Sequence, residues 1–379
     1  MLRKLLRPGF ALLAVAALLL AGCFGTDQPV GNGKAANGGG GSSGGTKRIV
    51  FLINTPDPFW DACRAGFEEG TTHWKLKEAG MTATFESNNG TAQGQIDKLR
   101  QFATQSDIVG VAISPYQADN VAVIEEMRNL KAKGVHVIAV DNDVNREQFR
   151  DARSYYIGTN NLAAGKVLGQ ATKTILAARN KDKGAYVQFV GETGSDNGRA
   201  RMDGVKLGLG DAYEERDRMA DDSDKAKAQE NVRNALNNHN DLVALIGIWA
   251  YNGPAISTVV NEREARDQVA VVTFDAAEGS IEAMSKGNLD AMCVQNPFDM
   301  GFQAVRLLKA MHEKDDGVIK EMYPNAGKPD GDIYTTGLRI VAPEKNSPLK
   351  ADQFDAKTVE FMTLPQLREW LTKYKLTSS

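Results

Sequence analysis

The stretch DIVGVAISPYQADNVAVIEEMRNLKAKGVHVIAVDND, residues 107–143, decides the fold. Residues 108–113 are apolar or small throughout, and 135–140 are so apart from His136. Such runs belong to strands buried on both faces. Residues 119–133 between them read as a helix, so the stretch is one strand–helix–strand unit. Working outward, the unit recurs at the spacing of roughly 25–35 residues typical of such units. Further strands are expected at 48–53 and 81–86, then in a second series at 185–190, 214–219, 242–248 and 269–274. Helices are expected at 59–79, 94–105, 161–179 and 225–237. Strictly alternating elements predict parallel sheets joined by right-handed crossovers. The series comes twice, with a break around 143–155, which predicts two similar doubly wound α/β lobes. Beyond them lie an expected strand at 289–295, a helix at 297–312 and a strand at 332–340. A polar extension from Pro343 to Ser379 carries an amphipathic helix around 364–374.

The chain has 379 residues, 42% hydrophobic and 25% charged, enough for one or two domains with real cores. Lys and Arg number 45 against 48 Asp and Glu, a net charge of -3. That balance argues against a dedicated nucleic-acid binder, which needs a basic face. Four His and three Cys are too few for a metal-rich scaffold or a disulfide framework. Cys63 and Cys293 read as buried free thiols.

The N-terminus reads as a targeting segment. Arg3, Lys4 and Arg7 precede an apolar or small run from Phe10 to Gly22. The run is shorter than the about 20 residues of a membrane span and fits the core of a secretory signal peptide. It closes on Leu20-Ala21-Gly22-Cys23, which resembles a bacterial lipobox, in which the Cys is lipidated and becomes the first residue. An acyl group there would anchor the chain to a membrane. Removing residues 1–22 removes three basic and no acidic residues, leaving 42 against 48, a net -6. Residues 25–46, GTDQPVGNGKAANGGGGSSGGT, have too little apolar content to bury and read as a disordered tether.

Chemistry concentrates at the expected strand ends, where open α/β sheets bind ligands. The first strand ends in Asn54-Thr55-Pro56-Asp57-Pro58-Phe59-Trp60. This lacks the glycines of a dinucleotide turn, and Pro58 suits the first turn of a helix. Phe59 and Trp60 are either core anchors or a platform for the C–H face of a sugar; Asp57 beside them favours the platform. The fourth strand ends in Asp141-Asn142-Asp143. A carboxylate there can accept two hydroxyl hydrogen bonds, and charge-assisted bonds are the strong ones. A calcium loop is rejected, because its glycine and glutamate places hold Arg146 and Ala152.

The loop 191–199 is Gly-rich but lacks a P-loop ending. It is expected to deliver Arg199 into a cleft; the competing reading is a surface arginine paired with an acid. The remaining ends are Trp249-Ala250-Tyr251-Asn252-Gly253-Pro254, Phe274-Asp275 and Gln295-Asn296-Pro297. Aromatic faces mixed with Asp, Asn, Gln and Arg forks suit polyol recognition.

Four motifs in order across about Lys47 to Val341 carry a resemblance. They are the opening strand with Pro58-Phe59-Trp60, Val140-Asp141, Val272-Thr273-Phe274-Asp275 and Val294-Gln295-Asn296-Pro297. In these the chain resembles a bacterial periplasmic sugar-binding protein of the ribose-binding-protein type, a type I periplasmic binding protein. The resemblance implies two doubly wound lobes joined by a three-strand hinge, closing on a monosaccharide delivered to the permease of an ABC importer. It implies a leader at 1–22, a tether at 23–46, a first lobe of 47–157 plus 296–332, a second of 158–295 plus 333–343, and an extension at 344–379. It also implies ligand contacts from Asp57, Phe59, Trp60, Asp141 and Asn142 in the first lobe. In the second it implies Arg199, Phe274, Asp275 and Gln295, the last at the third crossover. Around the seventh strand the register leaves Tyr251 and Asn252 both as candidates. Ribose binders carry Asn at the place of Asp57 and Asp-Arg at the place of Asp141-Asn142, so the resemblance does not by itself imply ribose, and the implied ligand is a sugar or polyol. No cofactor, metal or nucleic acid is expected, and the chain is expected to be a monomer.

Two other classes share these features. An exported enzyme would need a convergent nucleophile set, but His73, His136, His239 and His312 lie scattered. Only Asp141 and Asp275 could mimic a glycosidase pair. A ligand-sensing receptor would use the same clamp. A relative of the lactose repressor would carry a DNA-binding helix-turn-helix where this chain has its leader and tether.

Overall fold

Apolar runs set the strands and amphipathic runs the helices that cover them. The computed structural model describes residues 45–379; the expected leader, Cys23 and all but the end of the tether lie outside the described residues. The first segment comprises β1 (Lys47–Leu52), α1 (Phe59–His73), β2 (Met81–Glu86), α2 (Ala92–Phe102), β3 (Ile108–Ile113), α3 (Val121–Ala132), β4 (His136–Val140) and β5 (Tyr155–Gly158). The second comprises α4 (Asn161–Ala178), β6 (Gly184–Val190), α5 (Asp196–Leu209), β7 (Tyr213–Ala220), α6 (Lys225–Asn238), β8 (Leu242–Gly247), α7 (Asn252–Glu262), β9 (Ala270–Phe274), α8 (Glu278–Ser285) and β10 (Ala291–Val294). The chain then forms α9 (Pro297–Glu313), α10 (Asp316–Met322) and β11 (Ile333–Thr335). It ends with β12 (Leu338–Ala342), β13 (Val359–Thr363) and α11 (Leu364–Lys373).

Two sheets result, ordered β11-β5-β4-β3-β1-β2 and β13-β12-β10-β9-β8-β6-β7. Five strands in each repeat one order, the first strand lying between the second and third. Neighbours pair in parallel, with β10 and β12 the antiparallel exception among the described residues. β9 is buried at every position, as expected of a strand covered on both faces. The fold is therefore the expected two-lobed, doubly wound α/β arrangement. The strand order reverses beside β1 and again beside β6, and the strand ends at such switch points are where these sheets bind ligands.

The chain passes between the sheets three times, at residues 159–160, 295–296 and 336–337. After the second passage Asn296 caps α9 through the Asp299 amide, and Pro297 supplies its first turn. α9 then packs on the first lobe, with Met300, Ala304 and Leu308 in one cluster with Phe51 and Phe67.

Several expectations change. The single strand expected at 332–340 is two strands in different sheets: Ile333 pairs with Tyr156, and Arg339 with Val294. The first lobe thus runs on to Thr335, beyond 332. Gln295 stands at the second passage, not the third. The expected break at 143–155 ends in a strand, β5, which the sequence reading did not include. Finally, the extension at 344–379 is part of the second lobe. β13 adds to β12 in parallel, and Leu364, Leu367 and Leu371 of α11 enter that lobe's core. Ser379 and Ala276 exchange backbone hydrogen bonds at 2.8 and 3.2 Å.

Candidate functional site

The residue that follows β4 and the residue that follows β9 are both aspartates, Asp141 and Asp275. Each takes left-handed backbone, with φ of 65° and 58°. That conformation costs a non-glycine residue about 1–2 kcal/mol, least for Asn and Asp. The two turns are alike. Asp141 N donates to Ile157 O of the neighbouring strand at 2.9 Å, and Asp275 N donates to Cys293 O at 2.9 Å. Each lobe thus turns one carboxylate out of its sheet at the same place.

In the second lobe the carboxylate is met by three groups. Gln295 donates to Asp275 from its backbone N–H at 3.3 Å and from its amide Nε2 at 3.2 and 3.3 Å. Arg201 of α5 brings Nη1 to 3.8 Å from the Asp275 carboxylate. Its guanidinium lies 4.6 Å over the Phe274 ring, and it donates to Asn161 Oδ1 at 3.0 Å and Ile248 O at 3.2 Å. α5 is held close to α4 by small residues. A Cβ on Gly165 would stand 2.1 Å from the Arg201 carbonyl, so only glycine there permits this approach.

The passages between lobes are tied to this site. Gln295 Oε1 accepts from Thr159 Oγ1 at 2.8 Å, which joins the second passage to the first. Thr336 of the third passage donates to Gly158 O from its N–H at 2.9 Å and its hydroxyl at 3.1 Å.

The first lobe holds its strand ends differently. Buried Gln95 donates to Ile53 O at 3.2 Å and Ser114 O at 2.9 Å, and accepts from Tyr116 N at 2.9 Å. This fixes the ends of β1 and β3. Asp57 is exposed and accepts from Phe59 N at 2.9 Å. Asn142 donates to Pro115 O at 3.4 Å. Asp143 is engaged by Arg146 at 2.7 Å and Arg153 at 2.7 and 2.8 Å. Tyr156 donates to the backbone O of Asp141 at 2.7 Å. The Asp141 carboxylate itself has no hydrogen bond or ion pair among the described residues.

Electrostatics join the two lobes. Burial pushes Asp141 up to about 7; Asp275 and Asp57 push the same way, and Arg201 opposes them. Burial also raises Asp275, again opposed by Arg201, by the Gln295 hydrogen bonds and reinforced by Asp57. Asp57 and Asp141 of one lobe therefore share a field with Arg201 and Asp275 of the other.

Five expected site residues take other places. Trp60 is buried in the first lobe's core, 5.9 Å from Phe51 and 5.1 Å from half-buried Phe59. Its place follows from helical spacing with Cys63 and Phe67 on the core face of α1. Arg199 is 57% exposed and paired with Asp196 at 2.6 Å, whereas Arg201 is 3% exposed. The buried stripe of α5 runs through Gly198, Arg201, Val205 and Gly208, and Arg199 lies off it. Asn252 is fully buried, donating to Asp221 at 2.8 Å and accepting from Trp249 N at 3.0 Å. Tyr251 donates its hydroxyl to the same Asp221. Asp221 follows β7, and the sequence reading missed it. Phe274 is buried beneath Arg201 and supports the site from below. Cys63 and Cys293 are buried, unbridged thiols. Among the described residues no three or more His, Cys, Asp and Glu side chains cluster as a metal site would need. A separate cavity of about 450 Å³ lies at the other end of β4, lined by His136, Tyr155, Met311 and Asp332 among others.

The fold, the paired aspartate turns and the tied passages define a two-lobed binding protein. The sequence matches the periplasmic binding protein domain family over residues 49–316, and the chain belongs to that family. No curated protein matches the sequence. Solved structures share the fold. One is an ABC transporter solute-binding protein from Burkholderia graminis C4D1M in complex with D-arabinose. It is 23% identical, with 78% of this chain and 95% of that chain covered and a TM-score of 0.62. A glucose-galactose binding protein from Geobacillus stearothermophilus is 20% identical, with 80% and 99% covered and a TM-score of 0.64. An ABC transporter solute-binding protein from Bacillus halodurans C-125 with bound myo-inositol is 17% identical, with 80% and 96% covered and a TM-score of 0.64.

The raised Asp141 pKa makes stability depend on pH. Protonation favours the folded chain, because the folded acid sits near 7 against an ordinary 3.8. The ionised group therefore destabilises the fold increasingly as pH climbs from about 4 to about 7, and constantly above that. Asp141→Asn should raise Tm at about pH 8 and leave it unchanged at about pH 4. Asparagine tolerates the left-handed backbone. With allowance for solvent screening the gain is about 1–2 kcal/mol. Melting curves at the two pH values check this; equal shifts at both would show that Asp141 is not held as an uncompensated acid.

Proposed function

We propose that this chain is an extracytoplasmic, lipid-anchored solute-binding protein. It captures a sugar or polyol between its lobes by hinge closure and presents the closed complex to an ABC importer. The observation that carries this is the pair of equivalent aspartate turns, Asp141 in one lobe and Asp275 in the other, at the strand ends where such sheets bind ligands, with Arg201 beside Asp275. The family membership supports it, as do the D-arabinose and myo-inositol named in the structures of similar fold.

In this mechanism each group has a task that its chemistry dictates. Arg201 donates to ring or hydroxyl oxygens, with Phe274 holding its plane. Asp275 and Asp141 accept hydroxyl hydrogens, one from each side. Asp57 and half-buried Phe59 close the mouth at the start of α1. A ligand drives closure only through contacts that exist in the closed state, and only one that touches both lobes makes them. The lobes move about the tied passages, in the manner of hinge closure. The binding reading takes no bond-breaking step, and the chain is not proposed as an enzyme.

The test is a panel of monosaccharides, alditols and cyclitols, read by thermal shift and by solution scattering. A ligand at hundredfold excess over its Kd should stabilise the chain by about 2.7 kcal/mol and reduce its radius of gyration. Arg201→Ala should weaken binding at least about tenfold, a loss of about 1.4 kcal/mol, whereas Arg199→Ala should leave affinity unchanged. Dependence on Arg199 and not Arg201 would put the ligand elsewhere.

The anchor rests on Leu20-Ala21-Gly22-Cys23 and the apolar run before it. No helix among the described residues is long and apolar enough to cross a membrane. Cys23→Ser should therefore release the protein from membranes or block its processing. Retained membrane association with unchanged mass would contradict lipidation.

A further inference from the structure

The charges at the site do not balance. Asp57 after β1, Asp141 after β4 and Asp275 after β9 stand at strand ends; one guanidinium, Arg201, lies 3.8 Å from Asp275, and neither Asp57 nor Asp141 has an ion pair among the described residues. Other acids at these strand ends are already occupied. Asp143 is held by Arg146 and Arg153, and Asp221 by Tyr251 and Asn252. Arg201 and Gln295 both address Asp275, so the second lobe compensates its own acid. The first lobe offers Asp141 nothing comparable. Asp141 faces Asp57 from the turn before α1, Cys63 from α1, Tyr156 from β5, Arg201 from α5 and Asp275 after β9. Of these only Arg201 is cationic. Tyr156 gives its hydroxyl hydrogen to the Asp141 backbone oxygen and not to the carboxylate.

A half-buried carboxylate with no partner is costly, and a cation relieves it best. An ammonium group supplies three donors and a full charge; a hydroxyl supplies one donor and none. We propose, on the sugar-or-polyol reading above, that the cleft selects a cationic polyol: an amino sugar, amino alditol or aminocyclitol. Its ammonium lies beside Asp141 and Asp57, and its hydroxyls meet Asp275 and Arg201. The excess of acid in the site is thus filled by the ligand.

The proposal also has a pH signature. A cation draws Asp141 toward its ionised form, so affinity for the amine should rise as pH climbs through about 7. Burial pushes the Cys63 thiol and the Tyr156 hydroxyl upward, away from that range, and Arg201 keeps its charge throughout.

The experiment compares amines with their hydroxyl counterparts on the full-length protein in detergent by titration calorimetry. The pairs are glucamine with sorbitol, glucosamine with glucose, and an aminocyclitol with myo-inositol. At least one amine should bind about tenfold or more tightly than its counterpart. The preference should grow between about pH 6 and pH 8 for the amine that stays protonated there. It should fall in Asp141→Asn and, should that variant fold poorly, in Asp57→Asn, whose side chain is exposed. Equal binding within every pair, or a preference for the hydroxyl compound, would overturn the cationic ligand and leave the sugar-or-polyol reading standing. Failure of every compound in both this series and the neutral panel would overturn that reading itself.

Discussion

The hydrogen bonds of Gln295 are the constraint on which the rest of the site depends. A carboxylate as buried as Asp275 must be compensated, because an unpaired buried charge costs about 3–5 kcal/mol. Gln295 supplies part of that compensation from its backbone and its amide, and spends its remaining oxygen on Thr159. The group that satisfies the acid is therefore also the group that joins two passages between the lobes. Thr336 brings in the third through Gly158. The passages between the lobes and the candidate site are thus parts of one hydrogen-bonded network.

The lobes are alike in backbone and unlike in charge. Asp141 and Asp275 occupy equivalent turns, each reached at the cost of left-handed backbone. Strain of this kind persists where surrounding structure fixes it and is common at functional sites. The second lobe completes its aspartate with Arg201, Gln295 and the Phe274 face below. The first leaves Asp141 to be completed from outside. On the proposed binding reading, that asymmetry gives the second lobe a preformed half-site and makes the first lobe the one whose engagement depends on the ligand.

Much of the fold was legible because strands buried on both faces announce themselves as unbroken apolar runs. β5 escaped, and β11 was merged with β12, because they are only four and three residues long, and a strand that small leaves no period. The edge role of 344–379 escaped because a polar connection of 343–358 separates β13 from β12. At the site, Asp141 and Asp275 were legible by position, since each follows an apolar strand directly. Arg201 was missed, and Trp60 was assigned to the ligand, although their helices carried the signal. Gly198, Arg201, Val205 and Gly208 form one helical stripe, and so do Trp60, Cys63 and Phe67. Each stripe divides buried from exposed positions, which places Arg201 inward, Arg199 outward and Trp60 in the core. The employment of Tyr251 and Asn252 by Asp221 was not legible, because it joins two strand ends through a turn with no sequence pattern.

The central claim is that Asp141 of one lobe and Arg201 of the other act on a single ligand. A double-mutant cycle measures this most directly. Ligand affinity would be compared for the parent, Asp141→Asn, Arg201→Ala and the double variant, using the tightest ligand found. The account predicts a coupling energy of about 1 kcal/mol or more, as for residues sharing one network. Additive losses, within about 0.5 kcal/mol, would mean that the two groups do not meet through a common ligand and would contradict it.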